Sequence, residues 1–572
     1  MPLRATPHRP GKPRPSFLPS HQTVPASARG VSHFLQMNAH NVTAPPPPRR
    51  AVESRDPATG EIWRSYDPAT AETVASAVAR ARAVQPAWAA RSPGERAKIV
   101  RRFHDVLYQR RAEIAALITR ESGKTLTDAL SADVTVALDF ASWTAEVTPG
   151  FFRTYWRGAA GITMWRKRVR FERRPLGVIG IITPWNYPFF LPTACTLPVI
   201  ACGNAAILKP SEFTPGSGAI LEELWREAGL PEGVLQVIQG DGVTGAALTR
   251  GGVDKMIFTG GSAAGRAVAI ACAEQMIPCS LELGGSDAAI VLADADVRHA
   301  ADGIVWTRFS NAGQTCVAPK RVFVEQSAYP AFVEAASRAV RALRVGPGTD
   351  VLSEVGPLIR PHSARTIAEQ LADATAKGAR IAAQASAPLA ANGNTTDDAD
   401  GFFPPTLLTD VKSGMRVLEE ETFGPLLPIV PVRDAEEAVA RANNSAFGLS
   451  ASVWTRDRVR GLAVARRLEA GTVLINDAIT VVGMPDVAYG GIKASGLGKL
   501  HGIAGLEACV HSTPIVDDRF ATWHQPWWFR YNPAHLANIE AYQRLAHGRG
   551  IRERLSGLAG TIRMLLTRKG SV

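Results

Sequence analysis

The chain has 572 residues, too many for one hydrophobic core, so two or three domains are predicted. Its composition, 46% hydrophobic and 20% charged, is typical of a soluble globular protein, and no apolar run reaches the roughly 18 residues that span a bilayer. Six cysteines without a Cys-x-x-Cys pair argue against disulfides or structural zinc. We therefore predict no metal and a reducing, cytoplasmic compartment.

The net charge of +12 is unevenly distributed. Residues 1–52 contain seven basic and no acidic residues, and residues 518–572 contain nine basic and three acidic residues. The body between them, residues 53–517, has a net charge of −1. A nucleic-acid partner is therefore not predicted, because such proteins carry their positive charge on the binding domain.

The first 52 residues are rich in proline, including Pro45–Pro48, and lack apolar periodicity. This composition predicts a disordered, basic tail. Two other interpretations stay open. A transit peptide is also basic and acid-poor, although frequent proline opposes the amphipathic helix that it needs, and Met37 could be the true start.

From about residue 67 the pattern is helical. Ser92-Pro93-Gly94-Glu95 predicts a capping box with proline in the first helical turn, and a later helix is predicted to stop at Gly123. Within Ile162–Arg173, other residues alternate with basic residues, which is the pattern of a half-exposed strand.

The middle of the chain alternates short apolar runs with helical stretches. The predicted strands are Gly177–Ile182, Ala205–Leu208, Val234–Ile238, Met256–Phe258 and Ser280–Leu283. This βαβ pattern predicts a parallel, doubly wound sheet that binds its ligand at the carboxyl ends of the strands. A second α/β pattern, from Ala288 to Ile475, predicts a second domain across a cleft.

Three segments after these strands could bind a nucleotide. Gly240–Gly245 is formally a GxGxxG, but the acidic residue expected about 20 positions on is missing. Gly260–Gly265 follows a strand and opens a helix, where backbone N–H groups can approach a phosphate. Lys209–Glu212 offers a carboxylate for ribose hydroxyls. Taken singly, each is equally compatible with a plain turn or a solvated loop.

Cys316 lies between a predicted helix, Val297–Arg308, and a predicted strand, Arg321–Val324. Loops at the ends of such elements commonly present reactive groups. A free cysteine is nevertheless more often a small buried apolar residue. Cys316 alone therefore does not indicate a function.

Five segments, in this order, resemble motifs of the NAD(P)-dependent aldehyde dehydrogenase superfamily. They are Thr183–Pro188, Phe258–Ser262, Leu281–Gly285, Phe309–Cys316 and Glu420–Pro425. The resemblance covers about residues 53–517. It implies two doubly wound α/β domains, cofactor-binding and catalytic, plus a β-arm for oligomerisation. The implied boundaries are 53–285 for the NAD-binding domain with an arm strand at about 160–174, 286–480 for the catalytic domain, and 481–517 for a return to the first domain.

The resemblance assigns three catalytic roles. Cys316 would attack the aldehyde carbon and later carry a thioester. The side-chain amide of Asn186 and the backbone N–H of Cys316 would bind the oxyanion. Glu282 would activate the hydrolytic water, and its apolar surroundings should raise its pKa. Relatives that transfer the acyl group to coenzyme A generally lack this glutamate, which favours release of a free acid. The alternatives are that acylating reaction and a catalytically inactive scaffold.

The same resemblance implies a set of cofactor-binding residues. Ile182 and Trp185 would wall the nucleotide site, Lys209 and Glu212 would bind the adenosine ribose, Gly242, Gly261 and Ser262 would let the adenine and pyrophosphate approach, and Glu421 and Phe423 would hold the nicotinamide ribose and ring. Because a carboxylate at Glu212 should repel a 2′-phosphate, NAD is the predicted cofactor and NADP the alternative. The family often has serine where this chain has Gly261.

The substrate is predicted more loosely. Tyr187 and Tyr489 occupy positions where relatives place aromatic residues around the aldehyde chain, which suggests an apolar tunnel. Ala194 occupies a position that is tryptophan in some relatives, and this smaller side chain would widen the tunnel. Enzymes of the succinic-semialdehyde type often have arginine where this chain has Ser310. We therefore expect a medium or long aliphatic, or an aromatic, aldehyde.

Two further expectations concern partners. Residues Ile162–Arg173 and Ala508–Val516 resemble the family's β-arm, whose exposed edge needs a partner, so a homodimer or tetramer is expected. The tail, residues 518–572, has an aromatic cluster at Trp523–Tyr531 and an apolar stripe of Ile551, Leu555, Leu558, Ile562 and Leu565. This stripe predicts either a basic amphipathic helix on an anionic membrane, giving a membrane-peripheral location, or a helix packed on the body or a sister subunit.

Overall fold

Two mainly parallel β-sheets form the centre of the fold. The computed structural model describes residues 50–160, 164–386, 401–519, 525, 528–529 and 531–566. The strands are β1 Val52–Arg55, β2 Ile62–Tyr66, β3 Tyr155–Gly158, β4 Lys167–Pro175, β5 Val178–Ile182, β6 Ala205–Lys209, β7 Leu235–Val237, β8 Lys255–Thr259, β9 Cys279–Glu282, β10 Asp287–Val291, β11 Pro319–Glu325, β12 Arg380–Gln384, β13 Thr406–Thr409, β14 Leu426–Val432, β15 Phe447–Gly448, β16 Ser450–Trp454, β17 Thr472–Ile475, β18 Ile492–Lys493, β19 Gly496–Leu497 and β20 Val510–Asp518.

Helices cover both sheets and form a further layer near the amino terminus. They are α1 Ala71–Ala89, α2 Pro93–Gln109, α3 Arg111–Ser122, α4 Leu126–Asp128, α5 Val136–Phe151, α6 Phe190–Ala201, α7 Pro215–Glu227, α8 Gly242–Thr249, α9 Ser262–Glu274, α10 Val297–Phe309, α11 Tyr329–Ala342, α12 Pro361–Ala376, α13 Arg416–Glu419, α14 Ala435–Asn443, α15 Arg458–Ala465, α16 Gly502–Glu507, α17 Pro533–His547, α18 Ile551–Ser556 and α19 Leu558–Leu566. A π-helical segment, Ala129–Thr135, joins α4 to α5.

The first sheet has the strand order β19-β9-β8-β5-β6-β7. Strands β5 to β9 pair in parallel, and β19 pairs with β9 in the antiparallel direction. Every residue of β5 and β6 is buried, as expected for strands covered on both faces. The carboxyl ends of the five parallel strands therefore meet at one edge of the sheet.

The second sheet has the strand order β12-β13-β14-β11-β10-β16-β17. All its pairs are parallel except that of β12 with β13. Together the two sheets confirm the predicted fold class, two doubly wound α/β arrangements in succession. The described residues from 50 onward form one compact unit, and the domain boundaries within it remain predictions.

A three-stranded antiparallel sheet, β20-β4-β3, forms the arm. Its long pair aligns Val510 with Pro175 at one end and Asp518 with Lys167 at the other. The arm strand begins at Lys167, later than expected, since residues 164–166 are not extended. Residues 161–163 lie outside the described part of the chain.

The amino-terminal helices have the predicted boundaries. The backbone N–H of Ser92 donates to Glu95 Oε2 at 2.8 Å, and the N–H of Glu95 donates to Ser92 Oγ at 3.3 Å, which completes the capping box at the start of α2. Gly123, with φ +78°, ends α3 in the left-handed conformation that favours glycine. The strand β1 starts at Val52, inside the tail predicted for residues 1–52, and residues 1–49 of that tail lie outside the described part of the chain.

The carboxyl-terminal segment differs from its prediction. The stripe from Ile551 to Leu565 was expected on one helix, but the chain forms α18 and α19, separated by the single residue Gly557. A side chain at Gly557 would collide with the Ala541 carbonyl, so glycine lets α19 approach α17 closely. Much of the predicted aromatic cluster lies outside the described residues. Among the described helices, none is long and apolar enough to cross a bilayer.

Candidate active site

The first sheet places the predicted site residues at one edge. Asn186 follows β5, Lys209 ends β6 and Glu282 ends β9. Gly242 opens α8 after β7, and Gly261 is the N-cap of α9 after β8. Parallel strands bring their carboxyl ends together, so residues separated by almost 100 positions in sequence share one crevice.

The loop that carries Cys316 has an unusual backbone. Asn311, Ala312 and Gly313 have φ values of +52°, +54° and +75°, so three successive residues are left-handed. A side chain at Gly313 would lie 2.6 Å from the carbonyl carbon of Gly424, so only glycine fits there. This turn directs the chain from α10 into the cleft, where Cys316 precedes β11.

Arg308, at the end of α10, anchors that loop. Its fully buried guanidinium donates to the carbonyl oxygens of Leu426 at 2.7 Å, Thr422 at 3.1 Å and Gly313 at 3.4 Å. It also donates to the carbonyl oxygen of Gly424. One planar cation thus joins the cysteine loop to the Glu420–Pro425 motif.

Asn186 is buried and held from two directions. Its side-chain Nδ2 donates to the carbonyl oxygen of Gln314 at 3.0 Å. Its own backbone carbonyl accepts from Lys124 Nζ and from Asn311 Nδ2, both at 2.8 Å. The amide therefore faces the cysteine loop with one of its two N–H bonds used and one left for another acceptor.

Lys124 is itself part of a buried ion pair. Its ammonium bonds Asp133, and neither side chain is exposed. Asp133 Oδ1 also accepts the backbone N–H of Phe190 at 2.9 Å. The ammonium lies 4.0 Å from the centre of the Tyr187 ring, whose hydroxyl is 2.8 Å from Thr315 Oγ1. These contacts fix the segment from Asn186 into α6.

Burial raises the pKa of the Cys316 thiol to about 11, and the Lys320 ammonium is the main group that opposes this rise. A hydrogen bond from the Tyr489 hydroxyl also favours the thiolate. Lys320 is fully buried and donates to the carbonyl oxygens of Thr315 at 2.9 Å and Cys316 at 2.6 Å. Burial lowers the pKa of Lys320, but the carboxylates of Glu421 and Asp287 favour its charged form.

Glu282 is also buried, and this raises its pKa to about 8, as predicted from its apolar surroundings. The backbone N–H of Gly491 and the Lys499 ammonium partly oppose the rise. In the described chain its two carboxylate oxygens have no side-chain partner. A carboxyl with a pKa near neutrality and no side-chain partner is suited to exchanging a proton with water.

A cavity of about 280 Å³ connects these groups. Cys316, Glu282, Tyr187 and Tyr489 all line it, as do apolar residues including Phe190, Leu191, Trp306, Ile479 and Val482. No lysine or arginine is among the described lining residues, and His501 is neutral because burial lowers its pKa to about 3. Both tyrosines predicted from the resemblance therefore lie beside the thiol.

The starts of α8 and α9, two candidate nucleotide-binding segments, differ in whether a side chain caps their backbone N–H groups. At α8, Asp241 already accepts the N–H groups of Val243 and Thr244, so that helix start is capped. At α9, Gly261 makes no side-chain cap, and a side chain there would meet nothing within 4 Å. Open N–H groups at Gly261 and Ser262 fit a phosphate.

The remaining predicted cofactor residues lie along the same crevice. Glu421 Oε1 accepts the Gly285 N–H at 3.0 Å and lies 3.7 Å from Lys320 Nζ. The rings of Phe423 and Trp185 meet edge to face, with centres 5.5 Å apart. Ile182 ends β5.

At the end of β6, Lys209 Nζ donates to the Pro210 carbonyl at 2.7 Å and lies 3.7 Å from Glu212 Oε2. Glu212 itself is partly exposed.

Sequence reasoning missed four cations: Lys124, Arg308, Lys320 and Arg360. The Arg360 guanidinium stacks 4.3 Å from the Phe213 ring centre and 5.6 Å from that of Trp185, and Glu212 favours its charge. All four contact residues more than 60 positions away, Lys320 through Glu421, and no local pattern indicates those contacts. Lys320, four positions after Cys316, could have been suspected from its proximity alone.

A protein-family model described as the aldehyde dehydrogenase family matches residues 45–515, which includes the thiol, the buried carboxyl and the amide. The chain belongs to the aldehyde dehydrogenase family. Members of this family use NAD(P), and the open helix start and the crevice described above fit that cofactor.

Three relatives illustrate the similarity. A 4,4'-diapolycopene aldehyde oxidase of Methylomonas is 36% identical over 75% of this chain and 79% of its own. A succinate-semialdehyde dehydrogenase [NADP(+)] of Escherichia coli is 36% identical over 80% and 92%. The crystal structure of a Mycobacterium tuberculosis aldehyde dehydrogenase complexed with NAD+ has a TM-score of 0.76 and 34% identity, covering 82% of this chain and 95% of that one.

Proposed function

We propose that this aldehyde dehydrogenase oxidises an apolar aldehyde to its free carboxylate, with Cys316 as nucleophile, Glu282 as base and Asn186 as oxyanion donor. The observation that carries the proposal is that Cys316 and Glu282 line one apolar cavity while Asn186 is anchored to the cysteine loop. Each residue has the chemistry that its step requires.

The first step is attack of the Cys316 thiolate on the carbonyl carbon, which forms the C–S bond and places the negative charge on oxygen. Lys320 favours the thiolate, and the free N–H of the Asn186 amide and the backbone N–H of Cys316 would stabilise the oxyanion. NAD(P)+, when bound, supplies the hydride acceptor. Loss of hydride from the thiohemiacetal leaves an acyl thioester on Cys316.

The second step is hydrolysis of that thioester. Glu282 would take a proton from water as the water oxygen attacks the acyl carbon, and the C–S bond then breaks to release the carboxylic acid, which ionises to the carboxylate in water, and the Cys316 thiolate. Because burial raises the pKa of Glu282 to about 8, its carboxylate is a stronger base than an exposed one. An acylating reaction with coenzyme A would have no need of this residue.

The cofactor assignment uses the residues along the crevice. Gly261 and Ser262 would bind the pyrophosphate, Gly242 would leave room for the adenine, and Ile182 and Trp185 would wall the site. Lys209 and Glu212 would hold the adenosine ribose, and Glu421 and Phe423 the nicotinamide half. We propose a preference for NAD because the Glu212 carboxylate would repel a 2′-phosphate. Arg360 is the group beside Glu212 that would favour NADP.

The cavity supports an apolar substrate. A succinic or glutaric semialdehyde carries a second carboxylate, which would meet no cation among the described lining residues and would face Asp128. The names of the relatives denote different aldehydes, so they do not choose between these classes. The lining favours a medium or long aliphatic, or an aromatic, aldehyde.

Absorbance of NADH with a series of aldehydes of increasing chain length tests the proposal directly. We expect turnover without coenzyme A, kcat/KM rising with apolar chain length, and no turnover after Cys316→Ala with NAD binding retained. Absence of NADH from any aldehyde, in protein that binds NAD, would refute the proposed activity. A requirement for coenzyme A would establish the acylating alternative.

Three further properties belong to this proposal. The arm exposes Tyr155 and Trp156 on its outer strand, β3, and such an edge favours a homodimer or tetramer.

The domain boundaries at 285/286 and 480/481 follow the passage of the chain from the first sheet to the second and back. A cytoplasmic location is proposed from the six free thiols.

A further inference from the structure

We propose that the α18–α19 face is a docking site for an anionic lipid surface. Five apolar side chains are exposed along these helices and are here called the apolar stripe: Ile551, Leu555, Leu558, Ile562 and Leu566. Leu566 replaces Leu565 of the predicted stripe, because Leu565 is half-buried. Ile551 is 79% and Leu555 is 61% exposed, although burial of such side chains is favourable. The inference is independent of the proposed activity.

The other side of the same helices is already covered. Thr561 and Met564 of α19 are buried, and a side chain at Gly560 would collide with Ala541 of α17. In an α-helix, residues four apart share a face, so Leu558, Ile562 and Leu566 form one row, and Met564 lies on the opposite side of the helix from Ile562. The described chain therefore uses one face of α19 for its own packing and leaves the apolar stripe uncovered.

The row continues from α19 into α18. Gly557, between the helices, has right-handed helical dihedrals of φ −82° and ψ −12°. The spacings of 4, 3 and 4 residues from Ile551 through Leu555 and Leu558 to Ile562 then keep one face. The apolar stripe is therefore nearly continuous over about 15 residues. At 1.5 Å per residue its length is roughly 20 Å.

Charge along the apolar stripe identifies its occupant. At about 100° per residue, Arg552 and Arg563 lie on one flank of the apolar stripe and Arg554 on the other. Glu553 lies on the opposite side of α18 and accepts the backbone N–H of Arg549. Arg554 Nε donates to the Gly548 carbonyl at 2.8 Å. An apolar row with arginine on both flanks is complementary to a membrane interface, where leucine and isoleucine enter the acyl boundary and guanidinium N–H groups reach the phosphates.

A second copy of the chain fits this face less well. Pairing two apolar stripes about a two-fold axis would bring the flanking arginines of both copies together, and the α18–α19 segment, residues 551–566, contains one acidic residue to compensate them. Anionic lipid headgroups carry the opposite charge to the arginines and avoid such repulsion. The lipid surface is therefore the occupant that the charges favour.

Flotation of the full chain with vesicles tests the proposal. We expect the protein to float with vesicles of equal phosphatidylglycerol and phosphatidylcholine, and to float at least about tenfold less with phosphatidylcholine alone or in 0.5 M salt. Leu555→Glu should reduce flotation with the anionic vesicles by a similar factor, because it places a charge in the apolar stripe.

Leu536→Glu is the matched control. Leu536 is equally exposed, at 61%, but lies on α17 and outside the apolar stripe. The Leu536→Glu variant should float like the wild type, and both the Leu536→Glu and Leu555→Glu variants should unfold at the wild-type temperature. Equal flotation of the wild type and Leu555→Glu, or no flotation of the wild type, would overturn the proposal. So would a fall in oligomer mass in Leu555→Glu by light scattering without a change in flotation, since the face would then bind a second copy.

Discussion

Nζ of Lys320 lies 2.6 Å from the carbonyl oxygen of Cys316 and 3.7 Å from Oε1 of Glu421. A single buried ammonium thus contacts both the residue proposed as nucleophile and the carboxylate proposed to hold the nicotinamide ribose. It is also the main group that opposes the burial-driven rise in the pKa of the thiol. Lys320 is therefore expected to affect reactivity and cofactor binding together.

Replacing Lys320 with Met should raise the pKa of Cys316, because the cation that favours the thiolate is removed. The thiolate fraction at a given pH then falls, and the pH profile of alkylation by iodoacetamide moves to higher pH. We expect alkylation at pH 8 to slow by about fivefold or more, and KM for NAD to rise. Lys377→Met, a substitution on the surface, should change neither the alkylation profile nor KM for NAD. An unchanged alkylation profile would show that Lys320 is only a packing group.

Glu282→Gln should stop hydrolysis of the thioester while leaving its formation intact. Gln has a similar shape but cannot accept a proton from water, so one equivalent of NADH should form rapidly and turnover should then stall. Rapid-mixing absorbance measures both phases. In the wild type, the slow phase should accelerate as pH rises through about 8, where Glu282 loses its proton. Complete loss of the burst would contradict a role confined to hydrolysis.

The same substitution has a predictable effect on stability. The folded-state pKa of Glu282 is raised to about 8, so between its unfolded value and pH 8 the native state binds the extra proton. Its contribution to stability is therefore present at low pH and is lost as pH rises through this window. Glu282→Gln should raise the midpoint of thermal unfolding at pH 8 more than at pH 5. Equal shifts at both values would mean that the carboxyl is not desolvated.

Asn186→Ala should reduce kcat/KM by about 10²–10³, or roughly 3–4 kcal/mol, the usual cost of one oxyanion donor. Cofactor binding should change little, because the backbone carbonyl at this position keeps its bonds from Lys124 and Asn311. Steady-state kinetics together with NAD titration by fluorescence separates the two effects. A parallel loss of NAD affinity would show that the amide acts mainly on the structure of the loop.

Glu212→Gln should shift cofactor preference toward NADP. The substitution removes the charge that repels a 2′-phosphate and leaves Lys209 and Arg360 as the nearby cations. We expect the ratio of kcat/KM for NAD to that for NADP to fall by about tenfold, corresponding to about 1.4 kcal/mol. Glu222→Gln on α7 is the matched control. If the wild type already prefers NADP, as the names of several relatives would allow, the proposed role of Glu212 is wrong.

Ser310→Arg should extend activity to a dicarboxylic semialdehyde. Ser310 lines the cavity, and an arginine there would supply the cation that the described lining lacks. We expect kcat/KM for succinic semialdehyde to rise at least about tenfold relative to that for octanal. Kinetics with the two aldehydes provides the measurement. A wild type already faster with the semialdehyde would contradict the apolar assignment.

The sequence predicted the parts of this fold that depend on local patterns. The buried strands β5 and β6, the capping box at Ser92 and the glycine stop at Gly123 appear within one or two residues of their expected positions. The crevice was also predictable, because the topology of parallel strands places their carboxyl ends together. The buried position of Glu282 and the direction of its pKa shift followed from the apolar residues around it.

The features that the sequence did not predict depend on distant contacts. Arg308 bonds carbonyl groups more than 100 positions away, and Lys124 reaches Asn186 across 62 positions. The break between α18 and α19 depends on the close approach of Gly557 to Ala541. Hydrophobic periodicity describes which face of a helix is apolar, but it does not show whether that face is covered.

The arginine that ties the cysteine loop to the Glu420–Pro425 motif has a consequence for how this protein can diversify. Arg308 holds both the cysteine loop and the Glu420–Pro425 motif. A substitution that displaced one of these segments would therefore disturb the other, and we expect selection to act against it. The cavity walls contributed by Ala194 and Trp306 make none of these bonds. New substrate ranges can therefore arise by exchange of wall residues while the reacting groups keep their inherited arrangement.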